Sequence, residues 1–427
     1  MYKVYIKQAW QMLKEDKVIS IITVSGTALA ITMIMVIILT QRIKTINIGP
    51  EPNRERTMYI QYFKETNKKR KETNESSVKM NDYKQYLERL TIPEKVSMIT
   101  KDQNDVCREG SDIYYRADVK YTDAAYWNIY SLSFIAGKPF SNEEFQSGIS
   151  VAVVSKSLAL KLFNETTGAI GNTFILNKKP YKVIGLVKDV PTLCNYAYAQ
   201  IWVPYTSDAK YGNPDAYGYE VAVLAKNKSD FSKIKSEIRQ SEVLNTIDPE
   251  EKEARFFGPF SGEELLIKIN DMNYDEPDLM KGRLRYYLTL AILLLIPAIN
   301  LSGFSLFKIL NRTPEIGIRK AFGAEKKTIL LQVLYENFLT SLIGGIIGLA
   351  LSFMAVTLIK DQLFSQQLNL WTSDKFLGEN TIPISAFISP WVFFYVILAC
   401  ILLNLLSSGI PAWRASRLNI VDAIHNS

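Results

Sequence analysis

Four uncharged runs constrain this chain of 427 residues more than any other feature. Val18–Thr40 holds 23 residues, Tyr286–Phe307 holds 22, Asn337–Ile359 holds 23 and Asn380–Trp413 holds 34, all without Asp, Glu, Lys or Arg. About 20 apolar residues of α-helix cross the ~30 Å hydrocarbon layer of a bilayer, so each run is long enough. One such run could be the core helix of a soluble protein. Four of them, in a chain that is 48% hydrophobic, point to an integral membrane α-helical protein with four transmembrane helices. The lysines before the first run (Lys3, Lys7, Lys14 and Lys17) resemble a secretory leader. Its apolar length exceeds the roughly 7–15 residues of a cleavable core, and Gln41-Arg42-Ile43-Lys44 offers no small-residue cleavage site. The run reads as a retained anchor.

Charge sets the orientation. Lys3, Lys7, Lys14 and Lys17 precede the first run with Glu15 and Asp16. The stretch between the second and third runs carries Lys308, Arg312, Arg319, Lys320, Lys326 and Lys327 against Glu315 and Glu325. The tail has Arg414 and Arg417 against Asp422. Together these segments account for the whole net charge of +7. With four spans all three fall on one side of the membrane, the positive-inside pattern, so both termini are expected in the cytoplasm. The charge also excludes nucleic acid as a partner, because the only net positive segments flank the membrane.

The expected order follows. Residues 1–17 form a cytoplasmic amphipathic helix, with Tyr2, Tyr5, Ile6, Ala9, Trp10 and Leu13 on one face, lying in the lipid interface or extending the first span. Span 1 is 18–40, and a large mixed α+β extracytoplasmic domain fills 41–285. Span 2 is 286–307, a cytoplasmic coupling helix covers 308–327, and span 3 is 328–359. An extracytoplasmic loop covers 360–389, span 4 is 390–410, and a cytoplasmic tail closes the chain at 411–427. In the large domain, Met58–Phe63, Ser150–Val154, Thr173–Leu176 and Tyr181–Val187 read as strands. Leu158–Phe163 and the Phe231, Ile234, Ile238 spacing read as helices. The polar run Lys64–Ser77 reads as an exposed hairpin loop or insertion. Cys107 and Cys194 would both be extracytoplasmic, where a disulfide is permitted; paired and free thiols remain equally open.

Small residues mark helix contacts. Gly344 and Gly348 give GxxxG in the third span, and Gly26 with Ala30 gives a small-xxx-small pair in the first. Pro297 and Asn300 interrupt the second span, and Glu336, at the start of the third, is expected at the lipid interface.

Catalytic chemistry is missing. The single histidine, His425, lies at the cytoplasmic C-terminus, which excludes a Ser–His or Cys–His dyad in the large domain and an HExxH zinc helix. No GxxxxGK[ST] occurs, so no P-loop is present. The paired acids Glu143–Glu144 and Glu263–Glu264 read as solvated surface. The expectation is no enzyme, no catalytic residue and no metal ligand set.

Two cytoplasmic motifs carry a family resemblance. One is Arg312-Thr-Pro-Glu315-Ile316-Gly317-Ile318-Arg319-Lys320-Ala321-Phe-Gly323-Ala324, and the other is Pro411-Ala-Trp-Arg414-Ala415-Ser-Arg417-Leu-Asn-Ile-Val-Asp-Ala423-Ile. Both closely resemble the MacB/FtsX/LolC–LolE class of ABC permeases, built as four spans with one large domain between the first two. Trp127–Phe140, Val151–Ser155 and Tyr181–Gly185 resemble the MacB-like periplasmic core domain. The lysine-rich stretch after Phe63 and the segment from Ser207 to Asp278 depart from that pattern.

The resemblance implies a permease subunit in a bacterial inner membrane that works by mechanotransmission. Separate ABC ATPase subunits bind ATP and Mg, and their closure moves the spans and the extracytoplasmic domain. It further implies Glu315, Ile316, Gly317, Ile318, Arg319, Lys320, Ala321, Gly323 and Ala324 as the ATPase-coupling residues. A second permease, as homodimer or homologous heterodimer, is implied as partner. The work done could be export of a peptide or small molecule, lipoprotein extraction, or control of a cell-wall hydrolase, with or without a periplasmic adaptor. The alternative is a non-transporting receptor or scaffold with an envelope-facing domain.

Overall fold

The structure is a computed structural model that describes residues 10–11, 17–213, 218–270, 278–293, 295, 318, 322–323, 325–365, 389–399, 401–402 and 405. It divides at Ile43–Lys44 and Leu279–Met280 into a helical unit and an α/β unit.

In the helical unit, α1 (Lys17–Arg42) is long and apolar enough to cross a bilayer over Ser20–Arg42. A later helix, Lys326–Ser365, meets the same criterion over Leu330–Ile359. A helical segment over 279–293 and a shorter apolar helix, Pro390–Ala399, are the described parts of the second and fourth expected spans. Pro297, Asn300, the first nine residues and the tail from 406 lie outside the described residues, as do 366–388 of the expected extracytoplasmic loop.

The two long helices bury small and polar side chains together with aliphatic ones such as Ile31, Ile34, Met35, Leu39 and Val356, and expose other large apolar ones. Ser20, Thr23, Thr27 and Ala28 are buried on α1, while Ile21, Ile22, Leu29 and Met33 are exposed. On the Lys326–Ser365 helix, Gln332, Glu336, Asn337, Thr340, Ser341 and Ser352 are buried, while Phe338, Ile346, Ile347, Met354 and Leu358 face outward. A helix in water buries its aliphatic stripe. Large exposed apolar side chains, with small and hydroxylated residues between the helices, suit an apolar surround. Several hydroxyls bond back along their own helix, as in Thr27 Oγ1 to Thr23 O (2.8 Å) and Thr340 Oγ1 to Glu336 O (2.8 Å), so burial does not leave them unsatisfied. Glu336 is enclosed by protein, at 5% exposure.

The α/β unit is built on a mixed ten-stranded sheet. Its strands are β1 (Thr57–Ile60), β4 (Lys95–Arg108), β5 (Tyr114–Thr122), β6 (Phe134–Gly137), β7 (Val151–Ser155), β8 (Thr173–Leu176), β9 (Lys179–Val187), β10 (Ile201–Pro204), β11 (Glu220–Leu224) and β13 (Phe260–Ser261). The order is β13-β1-β11-β4-β5-β10-β7-β9-β6, with β8 bridging β4 and β9. Pairing is antiparallel except for β5–β10 and β7–β9. Continuous apolar runs such as Val151–Val154 and Ile201–Val203 are buried on both faces, as expected of interior strands. Helix α2 (Lys156–Phe163) follows β7 directly; Ser155 caps its start and Asn164 ends it with φ 58°, a left-handed C-terminal turn.

The polar run Lys64–Ser77 is not a loop. It supplies β2 (Tyr62–Asn67) and β3 (Glu72–Ser77), in register from Tyr62↔Ser77 to Asn67↔Glu72. Strand β12 (Lys252–Phe257) completes this second sheet on the other side of β2. Cross-strand pairs between polar residues, Lys64–Glu75 at 3.0 Å and Lys252–Glu65 at 2.8 Å, hold a sheet that hydrophobicity alone does not signal. Helix α3 (Phe231–Asn245) lies against β12 through Ile234 and Ile238. Cys107 and Cys194 are both buried and free, so neither forms the disulfide left open above.

Candidate functional site

Of the nine coupling residues implied by the resemblance, Ile318 and Gly323 lie among the described residues. Glu315, Ile316, Gly317, Arg319, Lys320, Ala321 and Ala324 lie outside them. The Phe322 N–H donates to the Ile318 carbonyl at 3.1 Å, the i→i−4 bond of a helical turn. Residues four apart on a helix share a face, and here both are exposed, Ile318 at 52% and Phe322 at 88%. Gly323 has φ +90°, which favours glycine at a helix end, and open space around it. The Lys326–Ser365 helix then begins, with Thr328 N donating to Glu325 O at 3.0 Å. Phe322 was missed by the sequence reading, which counted only the isoleucines.

The helix-packing glycines behave differently from one another. A Cβ on Gly344 would stand 2.8 Å from Thr27 Cβ, and one on Gly348 would stand 2.6 Å from Ala28 O and 2.9 Å from Ile31 Cβ. Thr32 Oγ1 donates to Gly348 O at 3.1 Å across the same contact. Both positions therefore require glycine for the two helices to meet. The contacts advance together, Thr27 with Gly344 and Ile31 with Gly348, so the helices run parallel. Gly26 has nothing within 4 Å and is exposed, and Ala30 is partly exposed. The packing face of α1 lies one step round, on Thr27, Ala28 and Ile31. At the other end of α1, Arg42 donates to Ser389 Oγ, just before the Pro390–Ala399 helix.

The acid pairs prove to be helix caps. Ser141 N donates to Glu144 at 2.8 Å and Glu144 N to Ser141 Oγ at 3.2 Å. Ser261 and Glu264 repeat the box, and Glu264, buried, also pairs with Lys235 at 2.5 Å. Glu264 thus corrects the reading of both pairs as solvated. Among the described residues no cluster of three His, Cys, Asp or Glu side chains is gathered for a metal.

Asp123 and Lys120 of the α/β unit are both strongly perturbed. Burial pushes the Asp123 carboxyl up to about 6, against hydrogen bonds from Met98 N, Ser97 Oγ and Tyr126 N. Burial and the nearby Lys101 pull Lys120 down to about 7, opposed by Glu51, Glu220 and Asp118. Both groups make structural bonds deep in the domain.

Comparison with known proteins agrees with this architecture. The MacB-like periplasmic core domain family matches residues 20–241, just over half the chain, and the FtsX-like permease C-terminal family matches 287–420. The chain belongs to the MacB/FtsX-type ABC transporter permeases. Over 250 residues this permease is 26% identical to the uncharacterized ABC transporter permease YknZ of Bacillus subtilis, a match covering 57% of this chain and 58% of that one. Over 303 residues it is 25% identical to the macrolide export ATP-binding/permease protein MacB of Escherichia coli K12, covering 70% of this chain and 42% of that protein. The permease thus spans about half the length of the curated relatives it matches. The crystal structure of the extracellular domain of YknZ is similar at a TM-score of 0.35 and 17% identity, over 47% of this permease and 100% of that domain.

Proposed function

We propose that this permease relays ATP-driven motion of separate ATPase subunits to its α/β domain, acting by mechanotransmission. The observation that carries the reading is the exposed pair Ile318 and Phe322, placed just ahead of a helix that packs tightly on α1. An exposed apolar pair beside a membrane helix is a natural anchor for a protein partner. A push on that pair enters the Lys326–Ser365 helix and passes to α1 through Gly344 and Gly348. From α1 the chain runs straight into the α/β domain.

The same reading has four spans in the bacterial inner membrane, with both termini cytoplasmic and the domain outside. Parallel packing of the two long helices supports it, because an odd number of crossings must then separate them. Trp391 and Tyr395, both exposed at the start of the Pro390–Ala399 helix, suit the aromatic belt of a bilayer interface. ATP and Mg are assigned to the partner ATPases, and a second permease, identical or homologous, completes the pair. The transported or extracted substrate is a peptide, a lipoprotein or a small molecule, and an adaptor or cell-wall hydrolase is the alternative recipient of the motion. The test is co-purification of an ATPase with the wild-type chain and its loss with Phe322→Asp. Retention of the ATPase and of full transport by that variant would refute the assignment.

A further inference from the structure

The segment from Lys188 to Gln200, between β9 and β10, has no strand or helix, yet Val190, Leu193, Cys194, Ala197 and Ala199 are buried. Buried backbone without regular structure must find its hydrogen bonds elsewhere. Here three buried charged side chains provide them. Glu51 Oε1 accepts from Tyr196 N at 3.1 Å and Ala197 N at 2.9 Å. Arg54 Nη2 donates to Leu193 O at 3.2 Å, and Lys120 Nζ donates to Asn195 O at 3.2 Å and to Tyr196 O. Glu51 and Arg54 close on each other at 2.6 Å, at 2% and 6% exposure. The Tyr59 ring stacks on Tyr196 with centroids 3.5 Å apart.

Glu51 and Arg54 belong to the short stretch joining α1 to β1. That stretch is pinned twice more, by Ser131 N on Pro50 O at 3.1 Å and Asn53 Nδ2 on Ile129 O at 3.0 Å. Strand β1 in turn pairs with β13, the last strand of the domain, with Met58 opposite Ser261 and Tyr59 opposite Phe260. Two buried charges are an expensive way to fasten a loop, because desolvation offsets much of their attraction. An apolar contact would hold the loop with less orientation.

We propose that Glu51 and Arg54 are positioning residues for coupling: they lock the α1–β1 connection to residues 193–197, so that displacement of α1 reaches β1 and β10 undamped. The inference rests on the mechanotransmission reading and names the residues that make the joint between α1 and the α/β domain rigid. The measurement is hydrogen exchange on the full-length permease, alone and with its co-purified ATPase plus Mg-ATP. Without nucleotide, Glu51→Ala speeds exchange at the Tyr196 and Ala197 amides by about tenfold or more, while Val119 and Tyr121 in β5 stay protected. Glu51→Gln, which keeps an acceptor oxygen, restores most of the protection. With nucleotide, the wild type changes its exchange in β1 and β10, and Glu51→Ala loses that change while still hydrolysing ATP. Unchanged amides in Glu51→Ala, or a nucleotide response equal to wild type, overturn the lock. A wild type with no nucleotide response at all overturns mechanotransmission itself, and the lock as a coupling device with it. Should Glu51→Ala also expose the β5 amides, Arg54→Lys is read instead by the same criteria. Lysine keeps the charge and loses the planar fork with which Arg54 reaches Glu51 through Nε and Leu193 O through Nη2.

Discussion

Gly348 and Ala28 meet so closely that a β-carbon on the glycine would stand 2.6 Å from the alanine carbonyl oxygen. Backbone cannot yield there as a flexible side chain would. Gly348→Val should therefore push α1 and the Lys326–Ser365 helix apart, at a cost of roughly 1–3 kcal/mol. Thermal unfolding in detergent checks this, with Gly26→Val as control. Gly26 faces open space, so its replacement should leave the midpoint nearly unchanged in the monomer.

Ile318 and Phe322 should act as one anchor. Truncating a central apolar contact can cost about 2 kcal/mol or more, whereas an exposed charge contributes about 1 kcal/mol or less. Phe322→Ala should weaken ATPase binding about thirtyfold or more by this arithmetic, and Lys327→Ala should be mild. Titration of the purified ATPase onto the permease in nanodiscs measures both. Equal effects of the two variants would contradict the anchor.

Lys120 gives the α/β domain a pH signature. Its folded value near 7 lies below the ordinary 10.5, so below pH 7 the amine is charged in both states and the burial penalty is carried in full. Between about 7 and 10.5 the unfolded chain binds the extra proton, and stability rises with pH. Asp123, raised to about 6 from 3.8, has the fold holding the extra proton between those values, so its contribution falls as pH rises through that window. Denaturant midpoints at pH 7 and 9.5 should separate more in wild type than in Lys120→Met, whatever the absolute stability of the variant.

Side-selective labelling tests the orientation. With the native cysteines replaced, a cysteine at Lys69, exposed in the turn between β2 and β3, should react with an impermeant reagent added outside intact cells. A cysteine at the exposed Lys327 should react only after permeabilisation. Outside labelling at Lys327 would remove the four-span topology.

The long helices were legible because length and absence of charge are properties of composition. The expected start of the third span at 328 sits two residues inside the helix that begins at Lys326. Which small residues touch was not legible, since Gly26 and Gly344 look equivalent until a partner fixes the packing face. Strands β2 and β3 escaped notice because their pairing uses charge and hydroxyl contacts, such as Thr66 with Thr73 at 3.2 Å, in place of an apolar alternation. The two stretches that departed from the family pattern prove to be physical neighbours: β12, from the second, pairs with β2, from the first. Phe322 could have been found by stepping four residues from Ile318 along a helix. The Ser141–Glu144 and Ser261–Glu264 boxes could have been found by their three-residue spacing.

Because β1 and β13 are neighbours in the sheet, the first and last strands of the α/β domain lie side by side. A module with abutting ends can be excised or exchanged in evolution while the gap between its flanking sequences stays the same. Recombination at those two strands would give new binding surfaces to an old membrane engine without re-engineering it.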